Sequence, residues 1–147
     1  METLDNFSSR LRVLQGADFQ LADENEIYRM GVIGQFNLTF DLAWKTTRAL
    51  LCAHGVTDAE TATPREIIQL GCKHGIVDSY ALWIEMLTAR GAMAHIDDEE
   101  KIAETITLVR EIFTPAFVVL EHALKEKFAE LDGRSPVEPA RARSKKK

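Results

Sequence analysis

Two residues in this chain have the types and spacing suited to work on a phosphate, Arg90 and His95. A guanidinium can hold two phosphate oxygens through parallel hydrogen bonds. An imidazole that titrates near neutrality can take the proton of a ribose 2′-hydroxyl. Arg90 and His95 are therefore the candidate catalytic pair for metal-independent RNA cleavage, and equally the candidate nucleotide- or phosphate-binding pair. On one continuous helix, side chains five apart diverge by about 140°. Gly91 lets the chain bend between them. One histidine does not readily serve as base and acid together, so catalysis calls for a second copy across a dimer axis. The alternative is structural: Arg90 pairs with Glu85, Asp97 or Asp98, and His95 is a hydrogen-bonded junction residue.

The other common signatures of chemistry are absent from the sequence. There is no Walker A loop, no GxSxG and no HExxH. Gly31 and Gly34 lie inside a helical pattern with no strand before them, which excludes a dinucleotide fingerprint and suggests close helix approach instead. His54 and His74 each precede a glycine and an apolar residue, in Cys52-Ala53-His54-Gly55-Val56 and Cys72-Lys73-His74-Gly75-Ile76. Both read as last-turn residues favourable to the helix dipole, with the glycine in the left-handed position. Neither has a second ligand at zinc-site spacing, so no metal and no cofactor is expected.

The elements that must position Arg90 and His95 are helices. The stripe Ile33, Phe36, Phe40, Trp44, Thr47 and Leu51 steps by three, four, four, three and four, one face of a long helix closed by Gly55. Asp23 and Glu26 are spaced as a capping box for its start. Leu38 and Leu42, one turn apart on another side of the rod, are candidates for a dimer interface or for burial under the first helix. A shorter first helix carries Leu4, Phe7, Leu11 and Leu14. Thr63-Pro64-Arg65-Glu66 is a helix start with cap, proline and box residue in place. Asp78 or Ser79 opens the helix of Tyr80, Trp83, Ile84 and Leu87, which ends at Arg90. Asp97 and Glu100 are spaced as the cap of the last helix. Its stripe runs Ile102, Ile106, Val109, Phe113, Phe117, Leu120, Leu124 and Phe128, with Pro115 expected to bend the rod. No segment alternates with period two. The fold class is all-α, an antiparallel bundle of four or five helices with two long members.

The 147 residues fit one helical domain over 1–131 and a basic tail over 132–147, broken by Gly133, Pro136 and Pro139 and expected to be disordered. The tail has six basic and two acidic residues, the body 12 basic and 21 acidic. An acidic body disfavours broad binding to a nucleic-acid backbone, so an anion site must be local. No apolar run approaches the ~20 residues of a membrane span. The acidic start, Met1-Glu2-Thr3-Leu4-Asp5, is unlike a signal peptide. Cys52 and Cys72 read as small buried groups in a reducing compartment, so a cytoplasmic location is expected.

The segment Phe36-Asn37-Leu38-Thr39-Phe40-Asp41-Leu42-Ala43-Trp44-Lys45 resembles the FExTFELAWK-like helix of the nucleotidyltransferase substrate-binding protein family, within the HEPN superfamily. Thr63 to Ile68 and Trp83 to Arg90 follow in the order of that family's later motifs, and the resemblance covers roughly residues 5 to 128. It implies a helical homodimer encoded beside a minimal nucleotidyltransferase that carries the transfer chemistry. Its partners would be that transferase, a second copy, and RNA or a nucleotide. Some HEPN relatives are ribonuclease toxins with an Arg-x4-His core, matched by Arg90 and His95, and a transferase antitoxin. Here Gly91 follows the arginine, where that pattern has a polar residue. Asp97 stands where the toxin subgroup has the tyrosine that accepts AMP, which excludes silencing of that kind. The resemblance thus implies a substrate-binding partner subunit of a minimal nucleotidyltransferase. The alternative is a ribonuclease toxin, with Arg90 and His95 lining a groove at the two-fold axis. A structural dimer unrelated to nucleotides is the third reading.

Overall fold

The computed structural model describes residues 2–91 and 98–133. Its α-helices are α1 (Glu2–Gln15), α2 (Phe19–Glu24), α3 (Glu26–Ala53), α4 (Pro64–Lys73), α5 (Tyr80–Arg90), α6 (Glu99–Leu108) and α7 (Thr114–Leu131). A 3-10 turn, Thr57–Thr61, lies between α3 and α4, and a π turn, Val109–Phe113, joins α6 to α7. There is no strand among the described residues. The six-residue α2 has too short a pattern to be read from sequence.

Local chemistry sets most boundaries. Thr63 and Glu66 exchange the expected capping-box bonds, at 3.2 and 2.8 Å. Gly55 (φ +84°) and Gly75 (φ +75°) take the left-handed position after α3 and α4, where a Cβ would be strained. Ser79 caps α5 through the Leu82 N–H. Two caps differ from the spacing argument. Asn25, not Asp23, caps α3 by accepting from the Tyr28 N–H, because Asp23 is already inside α2. Asp98 caps α6 by accepting from the Lys101 N–H, and Asp97 lies outside the described residues. Arg29 then ties α2 to α3 by donating to the carbonyls of Ala22 and Asp23, which have no partner within so short a helix.

The predicted stripes face the core. Every member of the α6–α7 stripe is buried, as are Leu4, Phe7, Leu11 and Leu14. Phe36 packs on Phe40, Phe113 and Phe117, with ring centroids 6.3, 5.3 and 5.9 Å away, and Trp83 bridges Phe40 and Phe117. Three buried threonines on α3 donate to carbonyls one turn back, Thr39 to Gln35, Thr46 to Leu42 and Thr47 to Ala43, which lets hydroxyls sit in an apolar seam. On α5 the buried residues are Trp83 and Met86, whereas Tyr80 is exposed.

α1 runs antiparallel to α3: the Thr46 hydroxyl donates to the Thr3 carbonyl at one end, and the Asp18 N–H donates to the Tyr28 hydroxyl at the other. Arg12 and Lys125 both reach the buried carboxylate of Glu121, which ties α1 to α7. Burial pushes the Glu121 carboxyl up, but its hydrogen bonds and the charges of Arg12 and Lys125 outweigh that and hold it below the usual value. Just before Pro115, where the sequence predicts a bend, lies the π turn. The Thr114 N–H donates to the Val109 carbonyl five residues back, a wider turn that makes room for the proline ring.

The glycines of α3 do not do what their spacing suggests. A Cβ on Gly31 or Gly34 would meet nothing within 4 Å among the described residues, so no described helix approaches there. Gly71 on α4 is the close approach: its Cβ would lie 2.7 Å from Cγ2 of Val77 and 3.4 Å from Cγ2 of Thr47. A glycine inside a helix costs about 0.5–1 kcal/mol relative to alanine; at Gly71 the missing side chain leaves room for Val77, in the connection after α4, and then for Thr47 of α3.

Candidate functional site

Arg90 is the last residue of α5, and its side chain crosses to α3. Nε and Nη2 donate to the two carboxylate oxygens of Asp41 at 2.6 and 2.9 Å, a two-pronged ion pair. Asp41 is in none of the pairings expected for Arg90: it lies 49 residues away, and no local spacing signals it. Hydrogen bonding to Asp41 raises the Arg90 pKa further; burial works against this and the carboxylate charge adds to it. Arg90 is a permanent cation here. The arginine remains 44% exposed and the aspartate 27%, so the pair stands at the surface where a solute can reach it.

A cleft of about 190 Å³ opens beside the pair, lined by Asp41, Trp44, Lys45, Pro64, Leu87 and Arg90. Three of these come from one turn of α3, because residues 41, 44 and 45 share a face. Pro64 brings the first turn of α4, whose partial positive charge favours an anion. Trp44 is half-buried, at the edge of the main stripe and not within the core as its spacing suggests. Arg48 and Lys45 lie 5.1 and 5.9 Å from its ring centre, within cation–π reach. The cleft thus gathers Arg90 and Lys45 around one carboxylate and one aromatic ring, with Arg48 beside that ring. It can hold a phosphate or carboxylate group of modest size, with Asp41 as the competing anion.

The sequence pair is only half placed. His95 lies outside the described residues, so convergence with Arg90 is not established. Leu38 is half-exposed on α3, and Leu42 packs partly against the core. Cys52 and Cys72 are free and half-buried, less enclosed than expected. Burial, then the charge of Asp78, pushes the Cys72 thiol up. Among the described residues no group of three or more His, Cys, Asp or Glu side chains could hold a metal ion. A larger hollow, about 420 Å³, lies beside the 3-10 turn and is lined by Asp58, Glu66 and Lys73 among others. Its Glu66 is engaged by the capping box, and its charge balance is acidic, so it suits an anion less well.

A model of the "nucleotidyltransferase substrate binding protein like" family matches residues 2–126. The chain belongs to this family. The match contains α1 to α5 and the Arg90 cleft, and it stops within α7. Among solved structures the family member is similar to HI0074 from Haemophilus influenzae, described as revealing the fold of a substrate binding domain of a nucleotidyltransferase. The TM-score is 0.73 at 17% identity, over 83% of this chain and 98% of that one. At that identity the likeness is one of fold. No curated protein sequence matches the family member.

Proposed function

We propose that the chain is the helical substrate-binding subunit of a two-component nucleotidyltransferase, and that the Arg90 cleft holds the phosphate of a nucleotide or acceptor. The observation that carries this is the convergence of two sequence motifs. Asp41, Trp44 and Lys45 from the α3 motif and Arg90 from the α5 motif line one cleft, in which Arg90 and Asp41 form a surface-exposed ion pair. The partner is a small transferase that supplies the chemistry. The subunit acts in the cytoplasm as a homodimer formed along its long helix, with Leu38 and Leu42 at or beside the contact. No described helix is long and apolar enough to cross a membrane.

The ribonuclease alternative is less well supported. The matched family is one of substrate-binding proteins, and His95, the general base that a ribonuclease would need, lies outside the described residues.

The test is co-expression with the transferase encoded alongside, followed by calorimetric titration of the purified complex with ATP and AMP. Stable co-purification and a nucleotide affinity that falls at least about tenfold in both Arg90→Ala and Lys45→Ala are expected, since each removes a charge-assisted contact. A complex that never forms removes the partner reading. A complex whose nucleotide affinity ignores both substitutions removes the cleft.

A further inference from the structure

The cleft beside Arg90 has two halves of different chemistry. Asp41, Lys45 and Arg90 form a charged half, and Trp44, Pro64 and Leu87 an apolar half. Trp44 follows Asp41 by one turn of α3, about 4.5 Å along the axis, and Leu87 precedes Arg90 by one turn of α5. A bare phosphate has use for the charged half only. The apolar half calls for a ligand that carries a flat or apolar body beside its charge.

The two tryptophans of the chain stand in different surroundings. Trp83 is 2% exposed and packs between Phe40 and Phe117 in the core. Trp44 is half-buried, lines the cleft, and carries the guanidinium of Arg48 over its ring, 5.1 Å from the centre. Nucleobases stack both on aromatic rings and on guanidinium planes. An aromatic ring beside basic side chains is the combination that holds unpaired nucleotides, charge taking the phosphate and stacking taking the base.

The lining also limits how much of a base is read. Pro64 and Leu87 have no hydrogen-bonding side chain, Trp44 has a single N–H, and the other polar side chains belong to the charged half. Strong discrimination between similar ligands needs hydrogen bonds to the groups that differ, whereas stacking tolerates any base. The cleft, at about 190 Å³, is smaller than the roughly 300–1,000 Å³ of sites that enclose a whole small molecule. A base there is held by one face, with its edges toward solvent.

We propose that Trp44 is the base platform of this cleft: a nucleotide binds with its phosphate at Arg90 and Lys45 and its base stacked on the Trp44 ring beside Arg48, with little preference among bases. The proposal rests on the phosphate reading of the cleft given above. It adds what sets a nucleotide apart from any other phosphate. Stacking on one aromatic side chain corresponds to about five- to 150-fold in affinity per base.

The purified full chain is titrated calorimetrically with AMP, CMP, ribose 5-phosphate and pyrophosphate, and the titrations are repeated with Trp44→Leu and Trp44→Phe. Circular dichroism checks helix content, and indole fluorescence is followed during the AMP titrations. AMP and CMP bind within about threefold of each other and at least about tenfold more tightly than ribose 5-phosphate. Trp44→Leu brings AMP down to the level of ribose 5-phosphate and leaves ribose 5-phosphate itself unchanged, whereas Trp44→Phe keeps most of the difference. AMP quenches the fluorescence of the unsubstituted protein, because Trp83 is buried and Trp44 is within reach. The comparison of ligands on the unsubstituted protein needs no variant, so it decides the matter even where Trp44→Leu unfolds. AMP and ribose 5-phosphate binding equally tightly overturns the platform and leaves the phosphate cleft standing. An advantage of AMP that survives Trp44→Leu in a folded chain places the base elsewhere and overturns it as well. AMP preferred over CMP by more than about tenfold overturns the base tolerance. None of the four ligands binding at millimolar concentration removes both the platform and the phosphate reading.

Discussion

The guanidinium of Arg90 and the carboxylate of Asp41 meet edge to edge between the end of α5 and the middle of α3, with both contacts under 3 Å. The pair holds Arg90 over a cleft and also occupies one edge, Nε and Nη2, of the guanidinium that would bind a ligand there.

Asp41→Asn therefore separates the two effects. The structural loss is small, because exposed ion pairs contribute about 0.2–1 kcal/mol. Affinity for an anionic ligand rises, since a competing charge is gone from beside Arg90 and Lys45. Thermal melts with and without pyrophosphate check both halves. A variant that loses more than about 2 kcal/mol would show the pair to be chiefly structural.

Glu121 gives a pH dependence with a definite sign. Its carboxyl is held below the usual value in the folded chain, so its contribution is present above the unfolded carboxylate pKa and is lost as pH falls through the folded value. Glu121→Gln is expected to cost about 1–3 kcal/mol at neutral pH, for a nearly buried group with a charged hydrogen-bond partner. The difference from the natural protein should shrink as acid protonates Glu121. Denaturant unfolding at neutral pH and at stepwise lower pH measures it, and a difference that grows in acid contradicts the assignment.

The glycines of α3 and α4 should respond in opposite directions to alanine. Gly31→Ala meets open space and helical backbone, so the isolated protomer gains about 0.5–1 kcal/mol. Gly71→Ala drives a methyl into the stiff side chain of Val77 and costs about 1–3 kcal/mol. Measured under conditions where both variants are monomeric, equal effects would contradict the packing described.

Phe36 lies at the centre of the aromatic cluster and contacts both long rods. Phe36→Ala is expected to cost about 3–5 kcal/mol, the range for a buried phenylalanine whose cavity cannot collapse. Phe36→Leu should recover more than half of that. Chemical denaturation of the two variants checks the order.

What the residues settled by themselves was local. The stripes of α1, α3 and the α6–α7 rod, the Thr63 box, and the glycines closing α3 and α4 follow from apolar period and backbone chemistry within a few residues. The family resemblance rested on the same short segments, and the match over residues 2–126 agrees with it. Pro115 signalled a disturbance, but not that it would be a π turn. Tertiary structure decided the rest. Arg90 met Asp41 instead of a nearer acid because the crossing of α5 over α3 sets that distance, and chain spacing carries no information about crossing geometry. Trp44 moved to the rim of the core, and the close helix approach fell at Gly71 instead of Gly31. Both depend on which neighbour a helix face finds, and periodicity marks a face without naming its neighbour.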